Sequence, residues 1–198
     1  MLWTINKKDD EQQTSAASMK GIIFEVFREM MEETFGEEMY DNLVDACDLP
    51  SGGVYSTVGT YDHMEIVSLV VELSKQTGIE PPQLVQAFGK YMFGYFANRF
   101  PQFFEHPGTF AFLDGLNDFH QLEVMKLYPE ATVPHFESRV ADDGNSMELI
   151  YTSPRHFSDV AVGMLNGAFD HYNETIELTM EDIGDEQEQK VIFKMKKV

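Results

Sequence analysis

The stretch Tyr151-Thr152-Ser153-Pro154-Arg155 is the most specific in the chain, and it stands where a predicted strand ends and a helix follows. Its tyrosine, serine and arginine are two residues apart, so in an extended chain their side chains point to the same side. A phenol, a hydroxyl and a guanidinium placed together offer hydrogen-bond donors to carboxylates, and the guanidinium can bind one in a bidentate pair. The same spacing also describes an ordinary solvated strand face. Tyr151, Ser153 and Arg155 are therefore candidates for binding a carboxylate.

The chain differs in periodicity on the two sides of Pro134. Upstream, apolar residues recur at spacings of three and four, as in amphipathic helices, and downstream, short segments alternate apolar and polar residues, as in strands. Helices are predicted over about 22–31, 37–47, 62–78, 81–100, 109–128 and 157–172, and strands over 135–140, 147–152, 174–181 and 191–195. The predicted fold class is α+β, with a helical N-terminal two-thirds followed by a small antiparallel sheet and packed helices.

The composition is that of a folded, strongly acidic chain. Its 198 residues carry 34 Asp and Glu against 14 Lys and Arg, a net charge of −20, and 43% of them are hydrophobic. The hydrophobic share supports a real core. The charge argues against nucleic acid or an anionic membrane as the main partner, because both attract clustered Lys and Arg. The single cysteine, Cys47, cannot form an internal disulfide, which fits a reducing compartment.

The N-terminal residues predict a cytoplasmic protein. Residues 1–10 contain no apolar run fit for a signal peptide, and the longest apolar stretch, Ile66–Leu73, is too short to cross a bilayer. Residues 1–18 are polar and without periodicity, and we interpret them as a disordered tail or as upstream sequence before a true start at Met19. Residues 19–198 are predicted to form a single domain.

One histidine falls on the apolar face of the long helix predicted over 109–128. The helical stripe consists of Leu113, Leu116, His120, Val124 and Leu127. A histidine in such a stripe is most often a hydrogen-bonded core residue and less often a metal ligand. The ligand interpretation gains weight beside a carboxylate-binding motif and an aromatic interior, because a haem offers an iron that takes an axial imidazole and two propionates that take donors.

Several segments together resemble the haem nitric oxide/oxygen-binding (H-NOX) domain, the sensor domain shared with soluble guanylate cyclase. The resemblance rests on Met19–Ile23, Leu122–Pro129, Pro134 and Tyr151–Arg155. It covers residues 19–198 and implies the H-NOX fold with haem b as the cofactor. In the family, the Tyr-x-Ser-x-Arg motif holds the haem propionates, and this role is implied for the three side chains of the motif here. Pro134 would press on the haem face.

The position of the iron ligand departs from the family pattern. In the family, the proximal histidine stands seven residues before the tyrosine that matches Tyr128 and commonly thirteen before the proline that matches Pro134. Both intervals lead to Gln121, whereas the helical stripe places His120 inward. An amide is a poor ligand for ferrous iron. We expect His120 to bind the iron after a local rotation or bulge of the helix, the alternative being weak or absent haem binding.

The distal side of the haem is implied to lack hydrogen-bond donors. Oxygen-binding members of the family carry a tyrosine five positions after the motif arginine, and this chain has Val160 there. The other family positions of the distal network correspond to Phe27 and Met92. None of these side chains donates a strong hydrogen bond, which bound oxygen needs more than nitric oxide or carbon monoxide does. The resemblance therefore implies a nitric oxide sensor that excludes oxygen.

The resemblance also implies how such a sensor would act. We expect no enzymatic activity, with nitric oxide or carbon monoxide as the ligand and a histidine kinase or a cyclic-di-GMP enzyme as the effector. The alternative is a haem-free or weakly haem-binding interaction module that keeps the fold. The feature that favours this alternative is Gln121 at the family's ligand position.

Overall fold

A computed structural model describes residues 18–129, 131–185 and 188–198. The predicted N-terminal tail therefore lies outside the described residues, except for Ser18, which begins the first strand. The helices are α1 (Gly21–Phe35), α2 (Glu37–Ala46), α3 (His63–Thr77), α4 (Pro81–Arg99), α5 (Thr109–Asp114), α6 (Leu116–Phe119), α7 (Met125–Leu127) and α8 (Ser158–His171). The strands are β1 (Ser18–Lys20), β2 (Thr60–Asp62), β3 (His135–Val140), β4 (Ser146–Ser153), β5 (Ile176–Asp182) and β6 (Gln189–Lys197). A 3₁₀ turn covers Pro101–Phe103, and a π-helical turn covers His120–Val124.

The predicted α+β class is confirmed. The helices precede a four-stranded antiparallel sheet of order β3-β4-β6-β5, and α8 crosses between β4 and β5. The strands predicted over 174–181 and 191–195 form a hairpin, the β5–β6 pair, in which Met180 lies opposite Phe193. A second, two-stranded sheet joins β1 to β2, and the sequence pattern did not predict it.

Local signals explain where the helices begin and end. Asp62 caps α3, because its side chain accepts a hydrogen bond from the backbone N–H of Met64 at 2.9 Å. Gly78 ends the same helix in the left-handed conformation, with φ of 73°. Pro81 and Pro82 then occupy the first turn of α4, where their missing N–H groups cost nothing.

Two glycines allow close contact between α4 and α8. A Cβ atom at Gly89 of α4 would lie 2.2 Å from the carbonyl oxygen of Val160, and one at Gly163 of α8 would lie 2.0 Å from that of Gln86. The two backbones therefore touch where α4 and α8 cross. This contact holds Met92 and Val160 on neighbouring helices that face the interior.

The prediction of one continuous helix over 109–128 is wrong in two places. A break at Gly115 separates α5 from α6, and the chain then passes through the π-turn into α7. In the π-turn, the N–H of Met125 donates to the carbonyl of His120, a bond across five residues rather than four. We call residues 109–127 the central helix, since its pieces follow one another along one course.

The interior consists of two hydrophobic clusters. One is formed by α1 to α4, with Phe24, Phe27 and Leu69 fully buried. The other joins the end of α4, the central helix and α8 to the inner face of the sheet, around Phe193 and Leu149. Among the residues that the structure describes, no helix is both long and apolar enough to cross a membrane.

Candidate functional site

A cavity of about 560 Å³ lies between the two hydrophobic clusters. Helices α1, α3, α4 and α8, the central helix and the strands β3 and β4 all contribute to its wall. All five residues of the predicted helical stripe line it, namely Leu113, Leu116, His120, Val124 and Leu127. The side of this helix that the sequence predicted to face the interior is therefore confirmed.

The strand-end motif reaches the same cavity. Tyr151 and Ser153 lie on the inner face of β4 and are buried, and Arg155 follows two residues after the strand ends. All three line the cavity. Local hydrogen bonds fix the turn: the N–H of Arg155 donates to the Ser153 hydroxyl at 3.1 Å, and the Tyr151 hydroxyl donates to the Arg155 carbonyl at 3.4 Å. The expectation that these side chains share one side is confirmed.

The Arg155 guanidinium is held by backbone oxygens. It donates to the carbonyl of Ser18 at 2.6 Å and to the carbonyl of Thr132. No carboxylate pairs with it within the described ranges. Burial lowers the pKa of Arg155 below its ordinary value. A guanidinium that is desolvated without a counter-ion favours an anion that enters the cavity.

His120 lies on the cavity wall between aromatic rings. Its ring centroid is 5.9 Å from that of Phe119 and 5.5 Å from that of Phe136, which in turn lies 5.7 Å from Tyr151. Phe136 thus connects His120 to the Tyr151-Ser153-Arg155 motif. No sequence motif marks Phe136, although its place in the alternating pattern of β3 predicts an inward side chain.

The imidazole of His120 is neutral and has an unused nitrogen. Its Nδ1 atom is buried and has no hydrogen-bond partner in the described part of the chain. Burial lowers the pKa of His120 to about 4, and the carbonyl of Pro134 acts in the opposite direction. Pro134 also lines the cavity. A neutral imidazole with a free nitrogen is the form that binds a metal ion.

Gln121, the residue at the family's ligand position, points elsewhere. It is exposed and does not line the cavity. The reason is the π-turn, which begins at His120 and takes up one residue more than an α-turn does. A bulge of the expected kind therefore begins at His120.

The three predicted distal residues differ in their position. Met92 and Val160 line the cavity, whereas Phe27 does not. Phe27 is buried one layer behind, with its ring centroid 5.3 Å from that of Phe88, which does line the cavity. Every cavity-lining residue contributed by α1, α3 and α4 is apolar.

Comparison with known proteins assigns the family. The family model described as Haem-NO-binding matches residues 20–180. The chain belongs to the H-NOX family. H-NOX domains are haem-based gas-sensor domains, and the matched region contains the whole cavity wall except Ser18, Met19 and Phe193.

Solved H-NOX structures share this fold. The Fe(II) unliganded H-NOX protein from K. algicida is 30% identical, with 91% of this chain and 97% of that chain covered and a TM-score of 0.82. The H-NOX protein from S. oneidensis in the Fe(II)NO ligation state is 27% identical, with 90% and 99% covered and a TM-score of 0.80. An I5F mutant of T. tengcongensis H-NOX, at 19% identity, 90% and 97% coverage and a TM-score of 0.81, shares the fold alone.

The residues on the cavity wall fit a haem. The buried Nδ1 atom of His120 is without a partner, and the Arg155 guanidinium is without a counter-ion among the described residues. Iron and propionates are groups that would satisfy an imidazole and a guanidinium of this kind. The rest of the wall is mostly aromatic and aliphatic, as a porphyrin requires.

Proposed function

We propose that this protein is a haem-based nitric oxide sensor that excludes oxygen and signals to a separate effector protein. The observation that carries the proposal is that one apolar cavity is lined both by His120 and by the Tyr151, Ser153 and Arg155 motif. A haem-binding domain needs an imidazole for the iron and hydrogen-bond donors for the propionates on the wall of one cavity. The cofactor is proposed to be haem b, since the chain offers no cysteine beyond Cys47 for thioether attachment.

The proposed roles follow from the side chains. His120 would hold the iron, because its low pKa keeps the imidazole unprotonated at neutral pH and no proton would have to leave before it binds a metal ion. Tyr151, Ser153 and Arg155 would hold the propionates: the Arg155 guanidinium is already oriented by the carbonyls of Ser18 and Thr132, and the Ser153 hydroxyl, which accepts from the Arg155 N–H, keeps its own proton to donate. The Tyr151 hydroxyl would exchange its bond to the Arg155 carbonyl for one to a propionate. Pro134 lies beside His120 on the cavity wall and would limit the orientation of the porphyrin ring of the haem.

The bound haem would supply a ferrous iron that takes nitric oxide or carbon monoxide. The protein contributes selectivity by the surface it presents. Met92 and Val160 line the cavity, and Phe27 packs against Phe88 on the side away from the cavity. The cavity-lining residues of α1, α3 and α4 are all apolar, so these helices offer no hydrogen-bond donor to the cavity. Bound oxygen gains most from a donor, because it carries partial negative charge, and nitric oxide gains little. Oxygen is therefore the gas most disfavoured by this wall.

The central helix is the element through which the site would reach an effector. It carries His120 on the cavity side, and two side-chain contacts tie it to β3: the Asn117 side-chain oxygen accepts from the N–H of Phe136 at 3.3 Å, and the Ser138 hydroxyl donates to Asp114 at 2.5 Å. A movement of His120 is thus passed to the sheet. A histidine kinase or a cyclic-di-GMP enzyme in the cytoplasm is proposed to respond, with residues 19–198 acting as one domain.

The test is the absorption spectrum of the purified protein and two variants. We expect a Soret band in the wild type, its loss or displacement in His120→Gly with restoration by added imidazole, and no change in Gln121→Ala, the matched control on the exposed neighbour. The ferrous protein should form no stable oxy spectrum in air. An unchanged spectrum of His120→Gly would remove the axial ligand from the proposal. A wild type that takes up no haem would instead support the haem-free interaction module.

A further inference from the structure

The two-stranded sheet of β1 and β2 brings a second cation to the cavity. Lys20 ends β1 and lies opposite Thr60 of β2, and its ammonium group donates to the Thr60 hydroxyl at 2.7 Å. Both residues line the cavity, where Lys20 is half-buried and Thr60 is exposed. The cavity therefore opens to solvent beside a lysine that is oriented by a neighbouring strand.

Lys20 and Arg155 belong to the same end of the cavity. The Arg155 guanidinium donates to the carbonyl of Ser18 at 2.6 Å, and Ser18 stands two residues before Lys20 on β1. Two residues of a strand span about 7 Å. Arg155 is thus bound to the start of the short strand that carries Lys20 at its end.

This end of the cavity is cationic. Within the described residues, Lys20 and Arg155 are the only lysine and arginine on the cavity wall. The two carboxylates of the wall, Glu123 and Asp159, belong to other elements, and each accepts a hydrogen bond from a neighbouring side chain at 2.8 Å. Asp62, the acidic residue of β2, caps α3 and does not line the cavity. Two positive charges therefore face the space beside β1.

The acidic edge of a porphyrin matches this pair of cations. Protoporphyrin carries its two propionates on neighbouring pyrroles at one edge, and both are ionised at neutral pH. A guanidinium binds one carboxylate in a bidentate pair, and an ammonium group binds another as a point charge. Because an ammonium group has three N–H donors, Lys20 can bind a carboxylate oxygen and keep its bond to Thr60.

We propose that Lys20, oriented by Thr60, binds one porphyrin carboxylate while Arg155 binds the other, so that the cavity selects porphyrins with two free acid groups. The inference deepens the proposed function and rests on it for the identity of the ligand as haem, although the charge pairing itself needs no iron. The small sheet of β1 and β2 is then part of the binding site, since its strand β1 carries Lys20 and orients Arg155.

The pairing is tested on the haem-free full chain with iron-free protoporphyrin IX and with its dimethyl ester, because neither probe needs His120 as an iron ligand. Porphyrin fluorescence follows binding to the wild type, to Lys20→Met, which keeps an unbranched side chain and loses the charge, and to Lys75→Met. Lys75 is the matched control, because it is an exposed lysine that pairs with Glu72 and does not line the cavity. Lys20→Gln, which also removes the charge, takes the place of Lys20→Met should that variant fail to fold.

Lys20→Met should raise the Kd for protoporphyrin IX about tenfold, since a hydrogen bond between charged groups is lost. Lys75→Met should bind protoporphyrin IX as the wild type does. The dimethyl ester has no carboxylate, so its Kd should be the same for the wild type and Lys20→Met.

Equal Kd values of the wild type and Lys20→Met for protoporphyrin IX overturn the inference. An equal loss with the dimethyl ester overturns it as well, because Lys20 would then act through the shape of the cavity and not through charge. A wild type that takes up no haem but binds protoporphyrin IX in this Lys20-dependent way overturns the proposed function and supports the inference. A protein that binds neither haem nor protoporphyrin IX overturns both.

Discussion

At the scale of the residue, His120 and Arg155 are both buried with part of their bonding capacity unmet, although Arg155 donates to the carbonyls of Ser18 and Thr132. His120 has an unpartnered buried nitrogen, and Arg155 is desolvated without a carboxylate within the described residues. Both conditions cost free energy of folding in the absence of a ligand. The proposed haem, with its iron and two carboxylates, would recover this cost. These residues are therefore arranged for binding more than for the stability of the empty protein.

The stability of the haem-free protein should depend on the protonation of His120. The folded pKa is about 4 against an ordinary value of 6.5, so the unfolded chain binds more protons between these values. The stabilising contribution is complete above about pH 6.5 and is lost as the pH falls towards 4, by up to about 3 kcal/mol. Chemical unfolding at a series of pH values measures this loss. His120→Gln should lack it, and identical pH profiles for the two proteins would contradict the buried neutral imidazole.

At the scale of the element, one sequence pattern described the central helix correctly only in part. The stripe through His120 predicts which side faces inward, and the structure confirms it. The same pattern did not reveal the break at Gly115 or the π-turn, because periodicity over a few turns tolerates a single extra residue. The conflict between His120 and Gln121 was itself the signal of the extra residue, since two patterns that differ by one position require a bulge to be reconciled.

The crossing of α4 and α8 allows a prediction in which packing opposes helix propensity. Gly163→Ala should destabilise the protein by about 1–3 kcal/mol, because the new Cβ would lie 2.0 Å from the backbone oxygen of Gln86 and the helices must separate. Gly94→Ala is the matched control within α4, where nothing lies within 4 Å of the added Cβ, and it should stabilise by about 0.5–1 kcal/mol. Urea unfolding of both variants provides the measurement. A stable Gly163→Ala protein would show that the crossing is looser than described.

At the scale of the whole molecule, two hydrophobic clusters enclose the cavity, and the surface around them is strongly acidic. Residues 21–46, which form α1 and α2, contain eight acidic residues and only Arg28 as a basic one. Arg28 is already paired, with Glu25 at 2.9 Å and with Glu32 at 2.8 Å. Repulsion among the remaining carboxylates is therefore a net destabilising contribution over this surface.

We expect added salt to stabilise the protein. Raising NaCl from about 10 mM to 200 mM shortens the screening length from roughly 30 Å to below 10 Å, and the melting temperature should rise by about 2–5 °C. Repulsion outweighs attraction because 34 acidic residues face 14 basic ones. The variant Asp41→Asn/Asp45→Asn removes two exposed like charges one helical turn apart and should respond less to salt. A melting temperature that falls with salt would show that ion pairs dominate instead.

The order of the residues alone determined the α+β class, the inward side of the central helix and the motif that lines the cavity, because periodicity and two-residue spacing are local properties of the chain. Only the tertiary structure decided between the helical stripe, which favours His120, and the family spacing, which favours Gln121, and only it placed Phe27 one layer behind the cavity wall. It also brought Arg155 to the carbonyls of Ser18 and Thr132, which are distant in sequence. Such outcomes depend on how several elements pack at once, and no local pattern contains that information.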